Sequence, residues 1–253
     1  MSTLLVDAGN TRIKWARLSE DGLGPSRAAV HATWRPRDYA RRLFGGARLG
    51  RVLVSSVAGP EIKTALRRAA REKRVPISFV TVPAQGGGIL VGYREPWRLG
   101  VDRFIGMVGA HELFKGVPVC VVGVGTALTL DLVSREGRHL GGAIIPAPAL
   151  MVQTLLAHTY GIRRRAQGGR WRLDGPFGRS TRDAISAGSR YAAAAMIDRV
   201  VEESAALVGG APLVVLTGGG APEVRPLVLS HCLGVPDLVL RGLAALAAQP
   251  PSR

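Results

Sequence analysis

Two acidic residues stand where they could act on a phosphoryl group, Asp7 and Asp102. Asp7 closes the apolar run Leu4-Leu5-Val6. The segment Ala8-Gly9-Asn10-Thr11 follows, and apolar residues return at Ile13 and Trp15. A carboxylate at a strand end can hold a divalent cation bound to phosphate. Gly9 lets backbone approach a ligand closely and can take positive φ. Asn10 and Thr11 add polar side chains beside the turn amides. A simple hairpin with an Asp-containing turn has the same pattern, and one short glycine motif does not separate the two.

Asp102 lies in Leu99-Gly100-Val101-Asp102-Arg103, which opens a helix predicted to run to about Phe114. An Asp there can be an N-cap, or a general base or phosphate-site carboxylate. Arg103 beside it can grip a carboxylate or phosphate with two parallel hydrogen bonds. Residues 85–99 before it are rich in glycine and are expected to form a loop carrying Tyr93, Pro96 and Trp97.

The stretch Val119 to Val133 repeats the first pattern: an apolar run, a turn with Gly125 and Thr126, then alternation through Leu128, Leu130 and Leu132. Gly9 aligns with Gly125, and Thr11 falls one residue past the slot of Thr126. Two strand-turn-strand units imply a duplicated domain, and two facing hairpins could clamp one nucleotide. A third glycine cluster, Thr217-Gly218-Gly219-Gly220, joins the buried-type strand Leu213–Leu216 to a helix expected to reach about Leu229. A strand leading into glycines and a helix N-terminus suits an adenosine or phosphate site.

The elements that must position these residues follow from periodicity and breakers. Strands are expected at 1–18 (a hairpin), 28–34, 51–56, 77–82, 117–133, 140–145, 213–216 and 237–240. Helices are expected at 36–44, 61–73, 102–114, 149–160, 182–208 and 242–247. The long helix should be capped by Ser180 or Thr181 and pack through Ala184, Ile185, Gly188, Ala192 and Met196. Residues 162–178, rich in Arg and Gly, read as a loop. Strands alternating with helices indicate a mixed α/β protein, with domains at 1–115 and 116–253.

Composition narrows the function classes. The chain has 253 residues, 47% hydrophobic and 21% charged, enough for one large or two ordinary domains. No run nears the roughly 18 apolar residues of a membrane span, so no membrane partner and a cytoplasmic location are expected. Cys120 and Cys232 sit in apolar surroundings and read as buried free thiols. Net charge is +16, with clusters at Arg67, Arg68, Arg71, Lys73 and Arg74 and at Arg163, Arg164, Arg165, Arg170 and Arg172. Aromatics are only 5% and do not interleave with these clusters, which argues against a nucleic-acid partner. Solvated arginine faces, or attraction of a polyanionic substrate such as ATP, account for the charge. There is no GxxxxGK[ST], no GxSxG, and no metal-ligand spacing among the histidines.

The pieces Asp7-Ala8-Gly9-Asn10-Thr11, Gly92-Tyr93 with Pro96, Leu99 to Arg103, Gly125-Thr126-Ala127 with Thr129 and Asp131, Gly141-Gly142 with Pro146, Thr181 with Ala184 and Gly188, and Thr217-Gly218-Gly219 occur in order over nearly the whole chain. Together they resemble type III pantothenate kinase. The resemblance implies a duplicated, two-domain actin-like fold of the acetate and sugar kinase/Hsp70/actin superfamily, ribonuclease H-like in each half, usually as a homodimer. It implies ATP-dependent phosphorylation of pantothenate to 4'-phosphopantothenate, the first step of coenzyme A synthesis, with Mg²⁺. By position Asp102 would be the general base and Asp7 would hold Mg²⁺ through the phosphates. Gly9, Asn10, Thr11, Lys14, Gly125 and Thr126 would bind phosphate, and Gly218 and Gly219 the adenosine. Tyr93, Gly100, Val101, Arg103, His158 and Thr181 would contact pantothenate. Two positions depart from the family. Gly123 stands where an Asp usually helps bind K⁺ or NH₄⁺, which removes the charged ligand of that ion. Ala147 replaces the usual Pro-Gly. The first departure motivates an alternative, a catalytically weak member acting as a nucleotide-binding regulatory protein.

Overall fold

A buried apolar run and a half-buried second strand make the first hairpin. In a computed structural model that describes residues 2–45, 49–167 and 175–249, β1 (Ser2–Ala8) and β2 (Arg12–Ser19) pair antiparallel, with Asp7 opposite Lys14 and Ala8 opposite Ile13. Short strands β3 (Gly22–Leu23) and β4 (Arg27–Val30) both pair with β2. Next come α1 (Pro36–Leu43), β5 (Leu49–Ser56), α2 (Pro60–Glu72) and β6 (Ile77–Phe79). Both helices begin on proline, whose fixed φ and missing N–H suit a first turn. The sheet order is β3-β2-β1-β5-β6, with β1, β5 and β6 mutually parallel. The 85–99 segment holds a two-strand ribbon, β7 (Gln85–Gly86) with β8 (Ile89–Leu90), where a plain loop was expected. Helix α3 (Val101–Leu113) follows.

The second sheet repeats this plan. It is built from β9 (Val119–Val124), β10 (Ala127–Val133) and β11 (His139–Pro146), then α4 (Pro148–His158), α5 (Tyr160–Arg165), α6 (Thr181–Val208), β12 (Leu213–Thr217), α7 (Ala221–Val224) and β13 (Cys232–Gly234). Its order is β11-β10-β9-β12-β13: antiparallel through β9, then parallel. The same hand-over from antiparallel hairpin to parallel strands occurs in both sheets, which is the duplication seen as topology.

The chain divides into two compact units, one of residues up to Lys115 together with those from Asp237 onward, the other Gly116–Pro236. Residues from Asp237 onward thus join the compact unit that holds the N-terminal sheet. Residues 237–240 were expected to be a strand, but they begin α8 (Leu238–Ala248), which packs on α3. The packing is glycine against backbone. A Cβ at Gly242 would collide with the Ile105 carbonyl oxygen, and one at Gly109 would sit 2.5 Å from that of Leu238. Small residues let the helices approach closely, a signal that an apolar run alone does not carry.

The first core gathers Leu4, Val6, Ile13, Val52, Val54, Leu66 and Tyr39; the second gathers Val122, Val124, Leu128, Leu130, Ala193, Ile197 and Leu216. Helix α6 turns a face one residue round from the expected one toward this core. Ile185, Ala193, Ala194, Ile197 and Val201 are buried, whereas Ala184, Gly188 and Ala192 are exposed. Ser180 caps it, its hydroxyl accepting the Asp183 N–H at 3.1 Å. Part of the supposed 162–178 loop is helix α5, while Arg170 and Arg172 lie outside the described residues. The helix after Gly220 ends at Val224, where Arg225-Pro226 tightens the chain into a 3₁₀ turn, and does not reach Leu229. Cys120 is buried and Cys232 half-buried, both unpaired; burial, reinforced by the Asp131 carboxylate, pushes the Cys120 thiol up to about 12. Among the described residues no helix is long and apolar enough to cross a membrane.

Candidate active site

In the first unit the site grows from the C-terminal ends of the parallel strands, where open α/β sheets present ligand-binding groups. Asp7 lies near the end of β1. Lys14 stands opposite it on β2 and Ser55 on β5. Directly paired residues share a face of the pleat, so the three side chains project together. Burial, then the charge of Asp102, raises the Asp7 carboxyl from 3.8 to about 6, while Lys14 and the Ser55 hydroxyl oppose the rise. The two carboxylates singled out in the sequence are thus neighbours. Ser55 was missed by sequence reasoning, although Ser55-Ser56 interrupting the apolar run of β5 was a visible signal.

The turn after β1 is closed by a hydrogen bond from the Gly9 N–H to the Arg12 carbonyl at 3.0 Å. The Ala8 carbonyl accepts from Val57 and Ala58 N–H at 3.1 and 3.3 Å, which ties the turn to the end of β5. Asn10 and Thr11 are exposed at its tip.

Asp102 occupies the first turn of α3, with Gly100 as N-cap. A helix N-terminus favours an ionised carboxylate. The Asp102 Oδ1 accepts the Arg103 N–H at 2.9 Å, and a Cβ at residue 100 would meet that oxygen at 2.8 Å. Glycine therefore leaves the space the carboxylate folds into. Arg103 is buried; its guanidinium donates to the Tyr93 hydroxyl at 3.1 Å and lies over the Tyr93 ring. Gly100, Val101, Arg103 and Tyr93 are thus brought together beside Asp102.

In the second unit the turn between β9 and β10 is tighter by one residue. The Gly125 N–H donates to the Ala127 carbonyl at 2.9 Å. Gly218 lies against it with φ +98°, and a Cβ there would strike the Val124 carbonyl, so only glycine fits. The Gly220 N–H donates to that carbonyl at 3.0 Å. Gly125, Thr126, Gly218 and Gly219 therefore form one glycine-lined edge. Thr181, the first residue of α6, lines an apolar groove with Met151, Leu155, Ile162 and Gly188, while His158 is exposed at the end of α4.

A monovalent cation beside Gly123 would need oxygen ligands there. Gly123 supplies no side-chain donor, and a Cβ there would sit 2.9 Å from Thr129 Oγ1. Asp131 is buried, with its Oδ1 3.1 Å from His139 Nε2. These residues do not fit a charged cation site. Asp7, by contrast, suits a divalent ion whose other ligands come from phosphate and water.

The family model for type III pantothenate kinase matches residues 3–203. The chain is 39% identical to the type III pantothenate kinase of Nitrosococcus oceani, covering 96% of this chain and 93% of that protein. It is 36% identical to that of Stenotrophomonas maltophilia strain R551-3 over the full length of both. The (R)-2-hydroxyglutaryl-CoA dehydratase component A of Acidaminococcus fermentans shares the fold at 14% identity, with TM-score 0.54 and coverage of 98% and 96%. The architecture is actin-like, and the chain belongs to the type III pantothenate kinase family.

Proposed function

We propose that this protein transfers the γ-phosphoryl group of ATP to the 4'-hydroxyl of pantothenate, giving 4'-phosphopantothenate and ADP, the first step of coenzyme A biosynthesis. The observation that carries the reading is the convergence of Asp102 on Asp7 beside the glycine turn of the first unit. Phosphoryl transfer asks a protein mainly for positioning and charge stabilisation. Asp102 orients the 4'-hydroxyl and accepts its proton as the oxygen attacks the γ-phosphorus. Asp7 holds the divalent cation, which neutralises developing phosphate charge. Gly9, Asn10, Thr11 and Lys14, with Gly125 and Thr126, bind the phosphates, and Gly218 and Gly219 back the adenosine. Tyr93, Gly100, Val101, Arg103, His158 and Thr181 bind pantothenate, Arg103 and Thr181 its carboxylate.

The two compact units correspond to the two actin-like domains, with α8 completing the first. The proposed enzyme turns over without a monovalent cation, since Gly123 has no side chain to offer and Asp131 lies 3.1 Å from His139 Nε2. A homodimer forms through the groove of α4, α5 and α6, whose apolar lining favours cover by a second copy.

The test is a coupled ADP-release assay with purified protein, Mg²⁺, ATP and pantothenate, in K⁺, NH₄⁺ and Tris buffers. Turnover with less than twofold difference among the buffers is expected. Absence of 4'-phosphopantothenate in every buffer overturns the reading.

A further inference from the structure

Every carbonyl of a phosphate-binding turn that faces inward leaves the next amide N–H facing outward, because the peptide unit is planar and trans. What holds the carbonyls inward therefore decides whether the turn can bind an anion. The Ala8 carbonyl is held by the Val57 and Ala58 N–H groups just past β5, as described above. The Gly9 carbonyl is held by a side chain from elsewhere in the fold. His31, just past β4 and only 4% exposed, places its Nε2 2.8 Å from the Gly9 oxygen. Its own backbone N–H reaches the Thr11 carbonyl at 3.4 Å. One residue thus contacts the turn on either side of Asn10.

The proton must sit on Nε2, because a carbonyl oxygen only accepts. Nδ1 then faces the Tyr39 hydroxyl at 3.4 Å, which can donate to it. Tyr39 is itself among the largest buried side chains of the first core, and its ring meets Trp34 edge-on at 5.1 Å between centroids. Trp34 packs in turn against His31 and Trp15. The chain of contacts runs from core tyrosine to histidine to turn carbonyl, with no mobile surface group in it.

We propose that His31, anchored by Tyr39, is a positioning residue for the phosphate turn: it fixes the Gly9–Asn10 peptide so that the Asn10 N–H faces the nucleotide phosphates. This rests on the kinase reading for the identity of the ligand. A residue acting only in the core would change stability and affect both substrates alike. A residue that aims one peptide should act on nucleotide alone.

The test compares wild type, His31→Phe, His31→Gln and Tyr39→Phe by steady-state kinetics and by calorimetric binding of MgADP. His31→Phe keeps the bulk and loses the donor; about a tenfold rise in KM for ATP and a similar loss of MgADP affinity are expected, the size of one lost buried hydrogen bond. KM for pantothenate should stay within twofold. His31→Gln, whose amide nitrogen reaches the place of Nε2, should recover to within about threefold of wild type. Tyr39→Phe leaves the donor but frees the ring, and about a threefold loss is expected. Should His31→Phe not fold, the Gln and Tyr39→Phe variants carry the test: MgADP affinity unchanged in Tyr39→Phe, or lost as fully in His31→Gln as a donor-free turn predicts, overturns the proposal. Equal loss for both substrates also overturns it. If wild type does not phosphorylate pantothenate, the kinase reading fails by itself, and the MgADP comparison still decides on His31.

Discussion

The charge of Asp102 bears directly on Asp7: it adds to burial in raising the Asp7 carboxyl to about 6. Two acids contributed by β1 and by the first turn of α3 therefore compete for ionisation. A divalent cation held by Asp7 would relieve that competition and let both stay charged, as the proposed division into a metal-binding acid and a proton acceptor requires.

Replacing Asp102 with Asn removes the carboxylate and keeps the shape. With Asp102 as proton acceptor, kcat should fall by roughly 10²- to 10⁴-fold, with KM for ATP within about threefold. A coupled assay reads both. A kcat near wild type would remove the assignment.

The same pair makes stability depend on pH. Asp7 ionises near 3.8 when unfolded and near 6 when folded. Between those values the folded chain holds the extra proton, so stability from this group is full below 3.8 and falls as pH rises through 6. Asp7→Asn should abolish that fall in nucleotide-free protein. Since Asp7 keeps some solvent contact, the variant should gain on the order of 2 kcal/mol at pH 8, while losing turnover. Urea unfolding at pH 4 and pH 8 measures it; a variant no more stable than wild type at pH 8 contradicts it.

Gly242→Ala sets a methyl group against the Ile105 carbonyl. Backbone cannot yield as a side-chain tip does, so a loss of about 3 kcal/mol or more is expected, seen as a lower thermal midpoint. Gly188→Ala is the control, since nothing lies within 4 Å of its added Cβ.

Gly188→Glu probes assembly. The open space around Gly188 lets one subunit accept the carboxylate, but an apolar partner surface cannot. Sedimentation should show a dimer for wild type and a monomer for the variant at the same concentration. A dimeric variant would place the subunit interface elsewhere.

Hairpins and their turns were the most legible features, because alternation and glycine both act within a few residues. Asp7, Gly9 and Gly125 were found that way. Asp102 and Arg103 were legible as a helix start. Ser55 and His31 reach the site only through strand pairing and a distant loop, contacts with no local pattern. The face of α6 was misread because small residues can serve core packing or an exposed groove, and Ala184 and Gly188 do the latter. The end of the chain was misread because Asp237–Leu240 is short and apolar, and such a run is helix or strand according to what it meets; here it meets α3.

That meeting has a consequence for synthesis. The first unit lacks α8 until the whole of the second has been translated, so the ribosome must expose the α3 surface around Gly109 for the intervening hundred-odd residues. Nascent chains halted before α8 carry an uncovered apolar helix. They are the species that chaperones and proteases should meet most often.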